Sequence, residues 1–128
     1  MAKVISSTAA RGLSRADRGY RNRVVLLRSA EGVGIDISLG GLPFEQGMID
    51  HATIFSFGPG FDLRTCSAED LVVLKLFASR PLDIRDAEGV VNRHGDQLDW
   101  RYIEDQLRPL AEVKQEPEIL RTLARLLQ

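Results

Sequence analysis

The chain has 128 residues, with 17 basic and 18 acidic side chains, 44% hydrophobic residues, one cysteine and two histidines. That composition describes one ordinary water-soluble domain, long enough to bury roughly two-thirds of its unfolded surface without a disulfide or a structural metal. Cys66 has no second cysteine to bond, His51 and His94 stand 43 positions apart with no partner at zinc-ligand spacing, and no run of 18 apolar residues offers a membrane span.

Residues 1–28 carry seven basic side chains against Asp17 alone, so the remaining hundred residues are acidic overall. A domain acidic over most of its length does not suit general nucleic-acid binding, although the basic arm has the charge to touch phosphates. Residues 1–20 show no clear periodicity and read as a loosely ordered leader. They lack an apolar segment behind the first charges, so they do not read as a secretory signal, and a cytoplasmic location with no membrane partner is expected.

From residue 21 the pattern sharpens into one domain, a sheet over 21–66 followed by helices over 67–128. Val24 to Leu27 form a short apolar run that suits a buried strand. Val33, Ile35, Ile37 and Leu39 alternate with Gly34, Asp36 and Ser38, which predicts a second strand with one face in the core. Ser29 to Gly32 then form a hairpin connection that makes the two strands antiparallel. Pro43 opens a short helix ending near His51. Thr53 to Phe57 and Phe61 to Thr65 read as two more strands around Gly58-Pro59-Gly60.

Ser67-Ala68-Glu69-Asp70 supplies a hydroxyl N-cap and two carboxylates in a first turn, which predicts a helix from Ala68 to Ser79. Pro81 separates it from a helix over Leu82 to Asn92. Asp99 caps the next, with Leu98 placed to pack on Ile103 as a hydrophobic staple, and Pro109 is expected to kink or divide it on the way to Lys114. A last helix begins near Pro117 with Ile119, Leu120, Leu123, Leu126 and Leu127 on one stripe. Strands followed by helices make an α+β domain, a small mixed or antiparallel sheet with C-terminal helices.

Three places carry chemistry. Asp36 projects from the face opposite the apolar stripe, beside the small Gly34 and Ser38, where a carboxylate is either a metal ligand or a solvated strand residue. Lys75 lies in a helix apolar almost all the way round, so its ammonium must reach water or meet an anion. Asp83 and Asp86, three apart on one helical face behind Arg80-Pro81, can cap their helix, bridge to Arg80 or Arg85, or hold Lys75. No phosphate-binding Gly-rich loop, dinucleotide fingerprint or Gly-x-Ser-x-Gly elbow is present.

Glu69-Asp70-Leu71, Lys75, Ala78, Arg80-Pro81, Asp83 and Asp86 occur in the order and spacing of a motif in the AbiEii-like nucleotidyltransferases, the group that includes type IV abortive-infection toxins. Upstream, Gly34-Ile35-Asp36-Ile37-Ser38 and Leu42-Pro43-Phe44 resemble the strand with that family's third metal carboxylate and the turn after it. The resemblance covers roughly residues 22–110. It implies a nucleotidyltransferase-like fold and transfer of a nucleoside monophosphate from a nucleoside triphosphate to an acceptor hydroxyl, on RNA or protein, with Mg²⁺ held by carboxylates. Carried over, Asp36 is the metal ligand, Lys75 meets the triphosphate with Arg80 and Asp83 beside it, and Asp86 completes the site or orients Lys75.

The family's Gly-Ser or Gly-Gly turn and the Asp-x-Asp pair that follows it are not intact here; residues 6–17 look like a worn version of that region. Without the pair, Asp36 cannot assemble the usual metal site, so a truncated or degenerate relative with impaired activity is expected. Recruitment of Asp17 and Glu31 as replacements is a further alternative. A reading from another class is a non-catalytic interaction module that forms a homo-oligomer, or pairs with another chain, through an exposed sheet edge.

Overall fold

A computed structural model of the chain describes residues 24–127 and the two-residue strand β1, Leu13–Ser14. The expected leader over residues 1–20 therefore lies outside the described residues except for that strand. The order of elements is β1, β2 (Val24–Ser29), β3 (Gly34–Ser38), α1 (Pro43–His51), β4 (Thr53–Ser56), β5 (Asp62–Thr65), α2 (Ala68–Ala78), α3 (Pro81–His94), a 3-10 turn at Gly95–Gln97, α4 (Trp100–Lys114) and α5 (Glu118–Leu126). The described residues make an α+β arrangement of two small antiparallel sheets and five helices. None of the described helices is long and apolar enough to cross a membrane. Two compact units divide it, Met1–Glu45 and Gln46–Gln128.

The first unit is built on a three-stranded sheet in the order β1-β2-β3. Its register sets Val25 opposite Ile37, Leu26 opposite Asp36, and Leu27 opposite Ile35. Because side chains alternate across a strand, Val25, Leu27, Ile35 and Ile37 share one face, and Asp36 lies on the other with Leu26. The expected antiparallel hairpin is present, but the expected burial of its apolar residues is not: Leu26, Val33, Ile35 and Leu39 are exposed, and Val24, Val25, Leu27 and Ile37 are only half-buried. Among the described residues of this unit Phe44 alone is buried, and a small sheet gains a core face only when another layer packs on it. The first turn of α1 is closed by Glu45, whose Oε2 accepts hydrogen bonds from the backbone N–H groups of Gly41 and Leu42.

In the second unit, β4 and β5 form a hairpin, with Phe55 opposite Leu63 and Ser56 opposite Asp62. Gly58 and Gly60 make its turn at φ values of 144° and 77°, conformations that side chains rarely adopt. Arg64 ties the hairpin to the end of α1, donating from Nη2 to the carbonyls of Ile49 and Ala52.

Helix α2 is the centre of the helical packing and touches α3, α4 and α5. None of its residues is fully exposed, and Val72, Val73 and Leu76 are buried, as its apolar sequence requires. Around it the core is completed by Ala87 and Val90 of α3, Ile103, Leu107, Leu110 and Ala111 of α4, and Ile119 and Leu123 of α5. The caps follow the sequence. Ser67 accepts from Asp70 N–H, Asp99 accepts from Tyr102 N–H, and the staple residues Leu98 and Ile103 are both buried.

Two helix expectations change. Pro109 does not divide α4, which runs unbroken from Trp100 to Lys114. The proline lies on the exposed side, where the unpaired carbonyl one turn earlier can bond water, while Leu107, Leu110 and Ala111 hold the helix in the core. In α5 the buried stripe is Ile119, Thr122 and Leu123, and Leu127 is 51% exposed beyond the helix end. Thr122 is tolerated inside because its hydroxyl donates to the Glu118 carbonyl and accepts from Arg125.

Candidate functional site

The C-terminal end of α2 and the first two turns of α3 bring four of the expected residues together. Helix α2 stops at Ser79, whose φ of 59° is left-handed and whose backbone N–H donates to the Lys75 carbonyl. Its hydroxyl donates to the Leu76 carbonyl. Arg80 is extended and Pro81 occupies the first helical position of α3, where a missing N–H costs nothing. This tight connection lays α3 back along α2, so that Lys75 faces Asp83 and Asp86.

Lys75 Nζ lies 3.1 Å from Asp83 Oδ1 and 2.7 Å from Asp86 Oδ2. Arg80 Nε donates to Asp83 Oδ2 at 2.5 Å. Asp83 is buried with both carboxylate oxygens engaged, whereas the Asp86 side chain is 45% exposed. Hydrogen bonds to Asp86 and then Asp83 raise the Lys75 ammonium above its ordinary value, so it stays charged. Arg80 is the main cause that holds the Asp83 carboxyl below its ordinary range, with Lys75 adding to it against the cost of burial. Of the alternatives open to the aspartates, Asp83 bridges to Arg80 and both hold Lys75. Lys75 keeps about a quarter of its side-chain surface, and Arg80 is largely exposed. The cluster is charge-balanced, two cations against two carboxylates, with Asp83 in the first turn of α3 where the helix dipole favours an acid, and Lys75 and Arg80 reaching solvent beside it.

A second polar pair joins α2 to α4. Asp70, fully buried, accepts a 2.7 Å hydrogen bond at Oδ1 from the Tyr102 hydroxyl, while Oδ2 has no hydrogen-bond partner among the described residues. Burial, and then the Asp70 bond, push the Tyr102 phenol up to about 12. Burial also raises the Cys66 thiol, with the Asp70 charge adding to it. A thiol held protonated is a poor nucleophile, in keeping with the lack of a nearby histidine in the sequence. Beside it, Glu69 accepts from Asp99 N–H, so neighbouring carboxylates of α2 both tie it to the start of α4. In the sequence, Asp70 reads as a first-turn acid, and only the arrival of Tyr102 from 32 residues away makes it a buried anchor.

Asp36 lies in the first unit, exposed on β3 opposite Leu26. Glu31 is exposed in the turn between β2 and β3, and Asp17 lies outside the described residues. Among the described residues no three histidine, cysteine, aspartate or glutamate side chains come together to hold a metal ion. Mg²⁺ wants about six oxygens in octahedral array, and Asp36 alone does not fit that need. His51 and His94 end α1 and α3, where an imidazole complements the helix dipole.

Compared with known protein families, curated proteins and solved structures, the chain matches none.

Proposed function

We propose that this chain is a nucleotidyltransferase-like domain that receives the triphosphate of a nucleoside triphosphate at Lys75 and Arg80 and is impaired in transferring the nucleotide. The observation that carries the reading is the clamp itself: Lys75, Arg80, Asp83 and Asp86, the residues that give the sequence its resemblance, meet at one point between α2 and α3. Asp83 orients Lys75 and holds its charge, and Arg80 adds a planar donor suited to phosphate oxygens. Phosphate oxygens would replace the exposed Asp86 as a partner of the ammonium, at little cost, because water readily takes over a carboxylate that is already half-exposed. Impairment follows from the missing Asp-x-Asp pair, which leaves the acceptor hydroxyl, whether of RNA or protein, without the carboxylate-held metal that such transfer uses.

The test is a thermal-shift titration of the full chain with ATP, CTP, GTP and UTP, each with and without Mg²⁺, beside Lys75→Met and Arg80→Ala. A ligand that binds only the folded state raises the melting temperature by mass action, whatever the acceptor. A rise with at least one triphosphate that is lost in Lys75→Met and reduced in Arg80→Ala is expected. No rise with any triphosphate contradicts the proposal.

A further inference from the structure

The β4–β5 hairpin carries an apolar face with no charged group on it. Phe55 is paired with Leu63, and the Phe57 N–H donates to the Phe61 carbonyl at 2.8 Å, which sets those two residues opposite each other. Strand alternation therefore puts Phe55, Phe57, Phe61 and Leu63 on one side, with Thr53 and Thr65 at the far end. Ile54, Ser56, Asp62 and Arg64 lie on the other side. The four large side chains are 54%, 62%, 72% and 59% exposed, respectively, and the Phe55 and Phe57 rings pack edge to face with centroids 4.7 Å apart. A two-stranded hairpin of four-residue strands is marginal unless something packs on it.

We propose that this face is a homodimer interface, covered by the same face of a second copy of the chain. Size argues for it. With roughly 200 Å² for each of the three phenylalanines and somewhat less for Leu63, the exposed parts of these four residues amount to at most on the order of 500 Å² per copy. Two copies together remove about 1,000 Å², the lower end of what a specific protein interface needs. Charge argues for it too. A two-fold interface sets a patch against itself, so any charged group near the axis meets its own like; the hairpin's own residues on this side include none, since Asp62 and Arg64 lie on the other. The lack of charge equally gives an acidic or basic partner nothing to recognise. The inference is independent of the nucleotide site, which lies on α2 and α3.

Sedimentation velocity of the full chain, from low to several hundred micromolar, tests it. The mass should rise from one copy to two over that range. Phe61→Glu should hold the protein monomeric by setting carboxylates against apolar rings, and Phe57→Thr, which keeps strand propensity, should raise the dimer Kd by about tenfold or more. Ile54→Glu, on the opposite face at a residue 71% exposed, should dimerise like the parent. Circular dichroism checks that each variant is folded, and Phe57→Thr decides the matter if Phe61→Glu is not. A monomer at every concentration overturns the proposal, most directly if the hairpin amides resist hydrogen exchange in that monomer, because the chain then covers the face itself. Association unchanged by both phenylalanine substitutions, or lost equally in Ile54→Glu, overturns it as well.

Discussion

Replacing Lys75 with methionine keeps the length of the side-chain stem and removes only the ammonium, so it isolates the clamp between α2 and α3. The two aspartates should respond differently, although Asp86 makes the shorter bond. Asp86 is half-exposed, and water takes the place of the lost ammonium; that pair is worth less than about 1 kcal/mol. The Asp83 side chain is only 5% exposed, and its Oδ1 is left without the Lys75 donor. A hydrogen bond to a buried charged group contributes about 1.5–3 kcal/mol. The loss stays below the roughly 3–5 kcal/mol of a buried charge stripped of its partner, because Arg80 still donates to Oδ2. Lys75→Met should therefore cost about 2 kcal/mol, and Asp86→Asn less than about 0.5 kcal/mol. Urea titration followed by fluorescence of Trp100, the one tryptophan and a residue of the second unit, reads both. Asp83→Asn in the Lys75→Met background should show a coupling of about 1 kcal/mol or more, since the two groups touch. Equal costs for Lys75→Met and Asp86→Asn, or no coupling, would refute the reasoning.

The clamp also fixes a pH dependence. Asp83 is held below its ordinary value, so its contribution is present above the unfolded-state pKa near 3.9 and fades as pH falls through the lower folded value. Unfolding free energy measured from pH 6 down to pH 2 should fall less steeply in Asp83→Asn than in the parent, and parallel curves would count against the assignment. Tyr102 has the opposite sign: its phenol is raised to about 12, so its stabilisation is present below about pH 10 and is lost as pH rises from there toward 12. Tyr102→Phe should cost about 1–3 kcal/mol at pH 7 by removing the hydroxyl that donates to buried Asp70, and should flatten the alkaline loss; a cost under about 0.5 kcal/mol argues against that hydrogen bond as an anchor of α2 to α4. Gln115 ends α4 at a left-handed φ of 58°, so Gln115→Gly should stabilise by about 0.5–1 kcal/mol in the same urea assay, and destabilisation would contradict the strain. Cys66 should react with a disulfide reagent more slowly than a free thiol at pH 8, and faster reaction would show that burial does not govern it.

Much of the fold was legible because local signals coincide with it. Ser67 and Asp99 cap helices with their own side chains and Pro81 begins a helix; the period-two run from Val33 to Leu39 marks strand β3 but not a buried face, since Val33, Ile35 and Leu39 are exposed. The α2 sequence is apolar on all sides because three other helices surround it. What was not legible depends on residues far apart in the chain. The burial of Asp70 needs Tyr102, 32 residues away, and the continuity of α4 through Pro109 is decided by the core contacts on either side. In the candidate site, the spacing of Asp83 and Asp86 on one face was readable, and so was a need for Lys75 to meet an anion; that the aspartates are that anion follows from the tight turn at Ser79. Asp36 was readable as the residue opposite the apolar stripe, but no strand pattern reveals how many carboxylates join it.

Isothermal titration of the full chain with the four nucleoside triphosphates, in the presence of Mg²⁺, tests the nucleotide-site proposal most directly. Saturable one-to-one binding of a triphosphate, weaker for the matching monophosphate and abolished by Lys75→Met under conditions where that variant is folded, is the predicted result. Absence of binding by all four, or binding that Lys75→Met leaves unchanged, would contradict it.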